Sequence, residues 1–332
     1  MNIPCTYTDG RHRDIEGLCS ECFKFLKAQP NKWIQHVCLH KGCQEGYVTV
    51  DGNCKLRRPI CAAKGELEEI GPGLPKVFRC CPNTPILGNQ SKKANTFCEE
   101  HMDDSAVGTP NADGGPREKP QGKSDDPLEP EEMEMDTVGE TVGCKKPSNI
   151  LKFYHTTAGI LALIKPCGIV VDACEMYTSE SLSQVFIFLL QTFCKPSQGP
   201  EYFMRLKYLG YDRACQLHPY LVNEAKKGSA GAQLLVDDVS FLVDLFHCKK
   251  HVKSTCMPPD DPECRYHPHL ARFAEIHGIN TQSCEQGFKR LNKYKYATRK
   301  MTRGKINLFF HIVNNEFNTH REGQLRNEGF IN

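Results

Sequence analysis

No stretch of this chain stays apolar for the roughly 20 residues that cross a bilayer. The longest such run, Ile160 to Cys174, is broken by Lys165 and Pro166. The first residues, Met1-Asn2-Ile3-Pro4-Cys5, lack the charged start and apolar core of a secretory signal. We therefore expect no membrane anchor and a reducing compartment, in which cysteines serve as thiols and metal ligands rather than disulfides. The His-Glu-x-x-His pattern of zinc proteases is missing, because Cys248 stands where the glutamate between His247 and His251 would be. The regular series of paired ligands of a RING-type ubiquitin ligase is missing too. From Asp103 to Gly143 there is neither an aromatic residue nor a cysteine, while five prolines and twelve acids face three bases. Such a segment buries too little apolar surface to offset its ordering entropy, so it reads as a disordered acidic linker.

What is abundant points elsewhere. The 332 residues include 19 cysteines, and 42 lysines and arginines against 40 acids give a net charge of +2. The linker carries −9 of that balance, so the remainder sums to +11. Basic folded parts suit a partner such as DNA. We read residues 1–102 as a cysteine-rich zinc-binding module, 103–143 as the linker, and 144–332 as an α/β domain with a zinc-binding insertion at about 247–269. In that domain Pro166–Cys174 reads as a buried strand, Ser179–Phe193 as a serine-capped helix, Leu206–Tyr211 as a strand and Leu234–Phe246 as a helix.

Ten cysteines precede the linker. Cys19-x-x-Cys22, Cys38-x-His40-x-x-Cys43 and Cys98-x-x-His101 have spacings that let two soft ligands on one turn reach a tetrahedral ion. With Cys5, Cys61 and Cys80 they would supply two or three structural zinc sites, while Cys54 and Cys81 suit a buried unligated role equally well. His247 and His251 would share one helix face and, with Cys256, Cys264 and His267, form a further zinc site in the insertion.

Three acids sit where a nuclease gathers hard oxygen ligands for magnesium. Asp51 ends an expected strand, Gly46–Val50, before the turn dipeptide Gly52-Asn53. Asp212 follows a second strand, and Glu285 lies in the first turn of a helix opened by the capping-box pattern Ser283-Cys284-Glu285-Gln286. The segment beyond it is basic and interleaved with aromatics, and its Lys289, Arg290, Lys293, Lys295, Arg299, Lys300 and Arg303 suit phosphate contact beside base stacking.

Several motifs together resemble one family. Val50-Asp51-Gly52-Asn53 with Arg57-Arg58 and Cys61, Tyr211-Asp212-x-Ala214-Cys215-Gln216, Phe246-His247-x-x-x-His251 with Cys256, and Cys284-Glu285-Gln286 occur in the order of the Kyakuja-Dileera-Zisupton (KDZ) transposases. The segments Cys81-Pro82-Asn83-Thr84-Pro85 and Phe97-Cys98-x-x-His101 resemble the cysteine clusters associated with those elements, and also the C-terminal part of an HMG-box-containing host protein. The resemblance implies an RNase H-like mixed-sheet core, structural zinc, and magnesium-dependent DNA cleavage and strand transfer in the nucleus. Asp51, Asp212 and Glu285 would then be the catalytic triad, with Asp172, at the end of the strand-like run Gly168–Val171, a rival for the first acid. Cys215-x-x-His218 matches the signature that follows the second acid and would pack beside the site. Homo-oligomers and chromatin proteins are the implied partners. Two functions follow: a transposase or a truncated relic of one, and a domesticated non-catalytic zinc protein that binds DNA or chromatin.

Overall fold

The computed structural model describes residues 32–61, 63, 66–69, 76–79, 81–85, 97–101, 156–177, 180–193, 206–248 and 265–332. Cys5, Cys19, Cys22, Cys80, His251, Cys256, Cys264 and the expected linker lie outside them.

A five-stranded mixed sheet organises the molecule. Its strands are β1 (Tyr47–Asn53), β4 (Gly159–Ile164), β5 (Val170–Met176), β6 (Tyr208–Gly210) and β7 (Ser240–Leu242), in the order β5-β4-β1-β6-β7. A separate hairpin pairs β2 (Glu66–Glu69) with β3 (Lys76–Arg79). Strand β1 pairs antiparallel with β4 on one side, Asp51 facing Ala162, and parallel with β6 on the other, Thr49 facing Gly210. The sheet's middle strand thus comes from the sequence before the expected linker, and its neighbours come from the sequence after it.

Both faces of the sheet are covered. Every residue of β4 is buried, so its side chains feed two cores by strict alternation. Leu161 and Leu163 join Val50 against α1 (Leu182–Phe193), α2 (Ala214–Lys226) and α3 (Ala230–Asp238). Ile160, Ala162 and Ile164 face α5 (Ser283–Leu291) and α6 (Arg303–Asn327). This two-sided burial explains why the sequence around Ile160 reads as one continuous apolar run. Edge strand β5 is protected by α6: the buried Asn318 donates to the Val170 carbonyl and accepts from its amide, both at 2.8 Å.

Three local expectations change. The helix expected over Leu234–Phe246 stops at Asp238, and the next residues form β7 beside β6 and the short helix α4 (Leu245–Cys248). Asp237 and Asp238 occupy the helix's last turn, where the macrodipole opposes negative charge, and Val239 turns extended. The expected turn at Gly52-Asn53 is instead the continuation of β1. Helix α5 forms, but without the capping box. Ser283 is its first residue, and its hydroxyl lies 3.0 Å from Thr49 Oγ1 and 3.4 Å from the Ile164 carbonyl, sharing its one proton between them and binding helix to sheet. By contrast Ser181 does cap α1, its hydroxyl accepting from the Gln184 amide.

Arg58 fastens the segment after β1 to the far side of the sheet. It is fully buried and grips Glu175 of β5 with two parallel bonds, Nε to Oε1 at 2.7 Å and Nη2 to Oε2 at 3.0 Å. Its Nη1 donates to the carbonyls of Pro59 and Pro82. Removing one partner of such a pair strands a charge in low dielectric. Arg58→Ala should cost about 3–5 kcal/mol in urea denaturation, and a loss of less than about 1 kcal/mol would show that the grip is dispensable.

Candidate metal and carboxylate centres

The sheet brings acids from five separate segments to one end. Asp51 stands late in β1, Glu180 precedes α1, Asp212 follows β6, Asp244 follows β7, and Glu285 is on α5. Oxygens of Asp51, Glu180 and Asp212 lie within 4.8 Å of one another, and so do ligand atoms of Asp244, His247 and Glu285. The two groups adjoin, since the charge of Glu285 acts on both Asp51 and His247, and that of Asp212 acts on both His247 and Glu285.

Local structure positions each carboxylate. Gly52 leaves room for Glu180: a Cβ there would come within 2.2 Å of Glu180 Oε2. Glu180 Oε1 accepts from the Tyr211 hydroxyl at 2.8 Å, and Arg213 Nη1 donates to the Glu180 carbonyl at 3.0 Å. Asp244 accepts from the His247 amide at 2.9 Å and pairs with His247 Nδ1, which stands 3.8 Å from Glu285 Oε1. That Glu285 oxygen is buried without a hydrogen-bond partner among the described residues. Helix α5 reaches this position by packing closely on the sheet, with Cys284 Sγ 3.3 Å from the Thr49 carbonyl and Gly287 against Ile164.

The electrostatics follow from crowding like charges away from water. Desolvation, then the charges of Glu180 and Asp212, push the Asp51 carboxyl well above the usual range. Desolvation and the Asp212 charge raise Glu180 to about 7. Burial raises Asp212 and Glu285 as well. His247 moves up, chiefly through its bond to Asp244. A divalent cation would reverse the shifts of the acids, and its natural ligands are several carboxylate oxygens in one place.

Two clusters of thiols and imidazole stand apart from the acids. In the first, Cys61, Cys81, Cys98 and His101 offer ligand atoms within 4.8 Å of each other. Cys81 and Cys98 sulfurs are 3.8 Å apart, and His101 Nδ1 is 3.8 Å from Cys61 Sγ and 3.2 Å from Cys98 Sγ. With Zn–S bonds of ~2.3 Å a tetrahedral site has sulfur–sulfur edges of roughly 3.8 Å, so these residues fit zinc. Neighbouring bonds, led by that from His101, outweigh desolvation and lower the Cys98 thiol to about 7. In the second cluster His36, Cys38 and Cys167 converge, with Cys43 beside them.

The expected sites thus redistribute. Asp51 and Asp212 come together, with Glu285 in the adjoining group, whereas Asp172 accepts from Thr192 of α1 at 3.1 Å and belongs to neither group. His247 sits among acids. His267 packs its ring against His269, and its Nδ1 accepts from the His269 amide. His40 bonds to the Lys41 carbonyl rather than joining Cys38 and Cys43. His218 of the Cys-x-x-His signature is 3.2 Å from the Tyr266 hydroxyl and stacks on Phe241. Sequence reasoning missed Glu180, Asp244, His36 and Cys167, and it left Cys81 open between ligation and a buried unligated role. A usable signal existed for Asp244, because Phe241-Leu242-Val243-Asp244 repeats the apolar-run-then-acid pattern of Leu209-Gly210-Tyr211-Asp212.

The basic segment runs from the end of α5 into α6. Lys289, Arg290, Lys293, Lys295, Arg299, Lys300 and Arg303 all lie on it, exposed or half-buried. Lys295 and Arg299 flank the ring of Tyr296, which is 61% exposed.

No helix among the described residues is long and apolar enough to cross a membrane. No curated protein and no solved structure matches the chain. The family model of the Kyakuja-Dileera-Zisupton transposases matches residues 143–318. That span covers more than half of the chain and includes Asp212, Asp244, His247 and Glu285, so this protein belongs to the KDZ transposase family.

Proposed function

We propose that this protein is a transposase-type DNA-cleaving and strand-joining enzyme with an RNase H-like core, and that Asp51, Asp212 and Glu285 form its acidic triad. The observation that carries this reading is the meeting of Asp51, Glu180 and Asp212 beside Asp244, His247 and Glu285 at one end of the sheet. An antiparallel three-strand half continued by two parallel strands, with helices on both faces, supports the core assignment.

Asp51 and Asp212, together with Glu180, are the proposed holders of magnesium, and Glu285 completes the set from α5. When bound, magnesium ions would activate the attacking water or DNA 3'-hydroxyl and stabilise the leaving oxygen. The protein's own part is to keep several carboxylates converged before the metal arrives. His247, raised chiefly by its bond to Asp244, would when protonated place a positive charge beside Glu285 and Asp212 and moderate their repulsion. The basic segment from Lys289 to Arg303 would track DNA phosphates, with Tyr296 as a stacking surface. Cys61, Cys81, Cys98 and His101 would hold structural zinc. Nuclear location, self-association and chromatin partners belong to the same reading, as does the likeness to an HMG-box-containing host protein.

Purified protein should nick supercoiled DNA with magnesium or manganese. Asp212→Asn and Glu285→Gln should each lower the rate by on the order of 10²–10³ while zinc content stays unchanged. Zinc-loaded, folded protein that binds DNA but cuts nothing would favour the domesticated binding module.

Binding should be salt-dependent. Arg299→Ala and Lys300→Ala together should weaken DNA binding uniformly across sequences and flatten the salt slope by about one unit for each phosphate no longer neutralised. An unchanged slope would remove this face from the interface.

Without divalent metal, stability should fall with rising pH. The Glu180 carboxyl rises from its ordinary 4.5 to about 7 in the folded state. The unfolded chain therefore releases that proton first, so the stabilisation is complete below 4.5 and lost as pH climbs through about 7. Magnesium should raise the melting temperature progressively more across the same window. A flat metal-free profile, or a magnesium effect equal at the two ends of that window, would contradict a carboxylate cage.

A further inference from the structure

The second thiol cluster lies where β1 begins, away from the acids near its far end. Trp33 of the preceding short helix is tied to α6 by a 2.6 Å bond to Asn315. From that anchored segment come His36, Cys38 and Cys43. Cys167 comes from the tight turn between β4 and β5, where Gly168 adopts a positive φ of 92°. All four side chains are buried, at 8, 4, 7 and 2% exposure for His36, Cys38, Cys43 and Cys167. Cys167 Sγ is 3.6 Å from His36 Nε2, and the Cys43 thiol is within bonding reach of both Cys38 and Cys167.

Three thiols and an imidazole buried side by side call for a common partner. A disulfide would use two sulfurs and strand the third. The ligand atoms of His36, Cys38 and Cys167 lie within 4.8 Å of one another, a spacing that suits one face of a zinc tetrahedron with Zn–S near ~2.3 Å and Zn–N near ~2.0 Å, and Cys43, in bonding reach of both other thiols, stands beside them as the fourth ligand. Charge supplies a second, independent indication. Zinc with three thiolates and a neutral histidine carries a net negative charge, and two cations already stand at the ligands' own backbone. Lys165 Nζ donates to the His36 carbonyl, and Arg321 Nε of α6 donates to the Cys167 carbonyl at 2.7 Å.

We propose that His36, Cys38, Cys43 and Cys167 hold a structural zinc ion that staples the segment leading into β1 to the β4–β5 turn. Four protein ligands leave no open position, so the ion is structural. His40, one residue of the Cys38-x-His40-x-x-Cys43 spacing, is not a ligand. The C-terminal end docks on the same place, the Leu39 amide donating to the Phe330 carbonyl at 2.8 Å with Leu325 in the surrounding apolar cluster. The proposal stands whether or not the carboxylate centre cuts DNA.

Zinc content of the full chain, measured by mass spectrometry of the metal, tests it. Cys167→Ser should lose one zinc equivalent per chain, His40→Ala none, and Cys98→Ser a separate equivalent additive with the first. In cobalt-substituted protein Cys167→Ser should also remove part of the thiolate-to-cobalt absorption. Should the Cys167 variant not fold, the wild-type protein still decides: under graded chelation Cys38, Cys43 and Cys167 should become alkylatable together, in step with release of one zinc. Full zinc retention by folded Cys167→Ser, or alkylation of Cys167 out of step with Cys38 and Cys43, would overturn the assignment.

Discussion

Everything in this molecule depends on the two-sided pairing of β1. A strand bonded on both edges cannot shift by one residue without turning its side chains to the opposite face. Val50 would then leave one core, and Asp51 would leave the acids. The partners that fix this register, β4 and β6, lie more than a hundred residues beyond β1 in the sequence. Closing such a loop is entropically expensive, though the cost grows only slowly with length. That slow growth allows a long intervening segment to be tolerated between the first strand of a core and the rest.

The same strand sets the chemistry at its far end. Five carboxylates approach one region because the segments carrying them all meet at the sheet, and the resulting desolvation, with repulsion added to it, is visible in the raised acids. Burial of like charges is costly unless a compensating group is present. The protein compensates partly with His247, Tyr211 and Arg213. Gly52 belongs to this arrangement, because any side chain there would displace Glu180. A position that reads as a turn glycine in the sequence is therefore a space reserved for a carboxylate.

How much was legible follows from the range of the interactions involved. The acids after strands could be suspected locally: Asp212 follows an apolar run, and Glu285 opens a helix. Their meeting with Asp51 depended on pairing across the expected linker, which periodicity cannot reveal. Glu180 was hidden because Ser-Glu-Ser reads as a helix start, and Asp244 because Leu234–Phe246 fits a helical period until Asp237 and Asp238 end it. Among the sulfurs, Cys98-x-x-His101 was legible because both ligands lie on one turn. Cys81 was not separable from Cys80 by spacing, and Cys167, more than 120 residues from its neighbours, leaves no local trace. Local motifs announce half-sites, and the sheet decides which halves meet.

The two ends of β1 then have complementary roles. Asp51 lies four residues beyond Tyr47, about 13 Å at ~3.3 Å per residue, and Tyr47 is itself locked to the Gly42 carbonyl at 2.8 Å. A staple at Cys43 and Cys167 would restrain both β1 and the β4–β5 hairpin, and Arg58 restrains the exit of β1 through Glu175. Carboxylates that must converge against their own repulsion need such rigid support, because a displacement of about one ångström can spoil the convergence. Strand β6 holds the first part of β1, Tyr47 to Thr49, and β4 holds the last, Thr49 to Asn53, so Asp51 lies on a strand restrained along its length and at both ends.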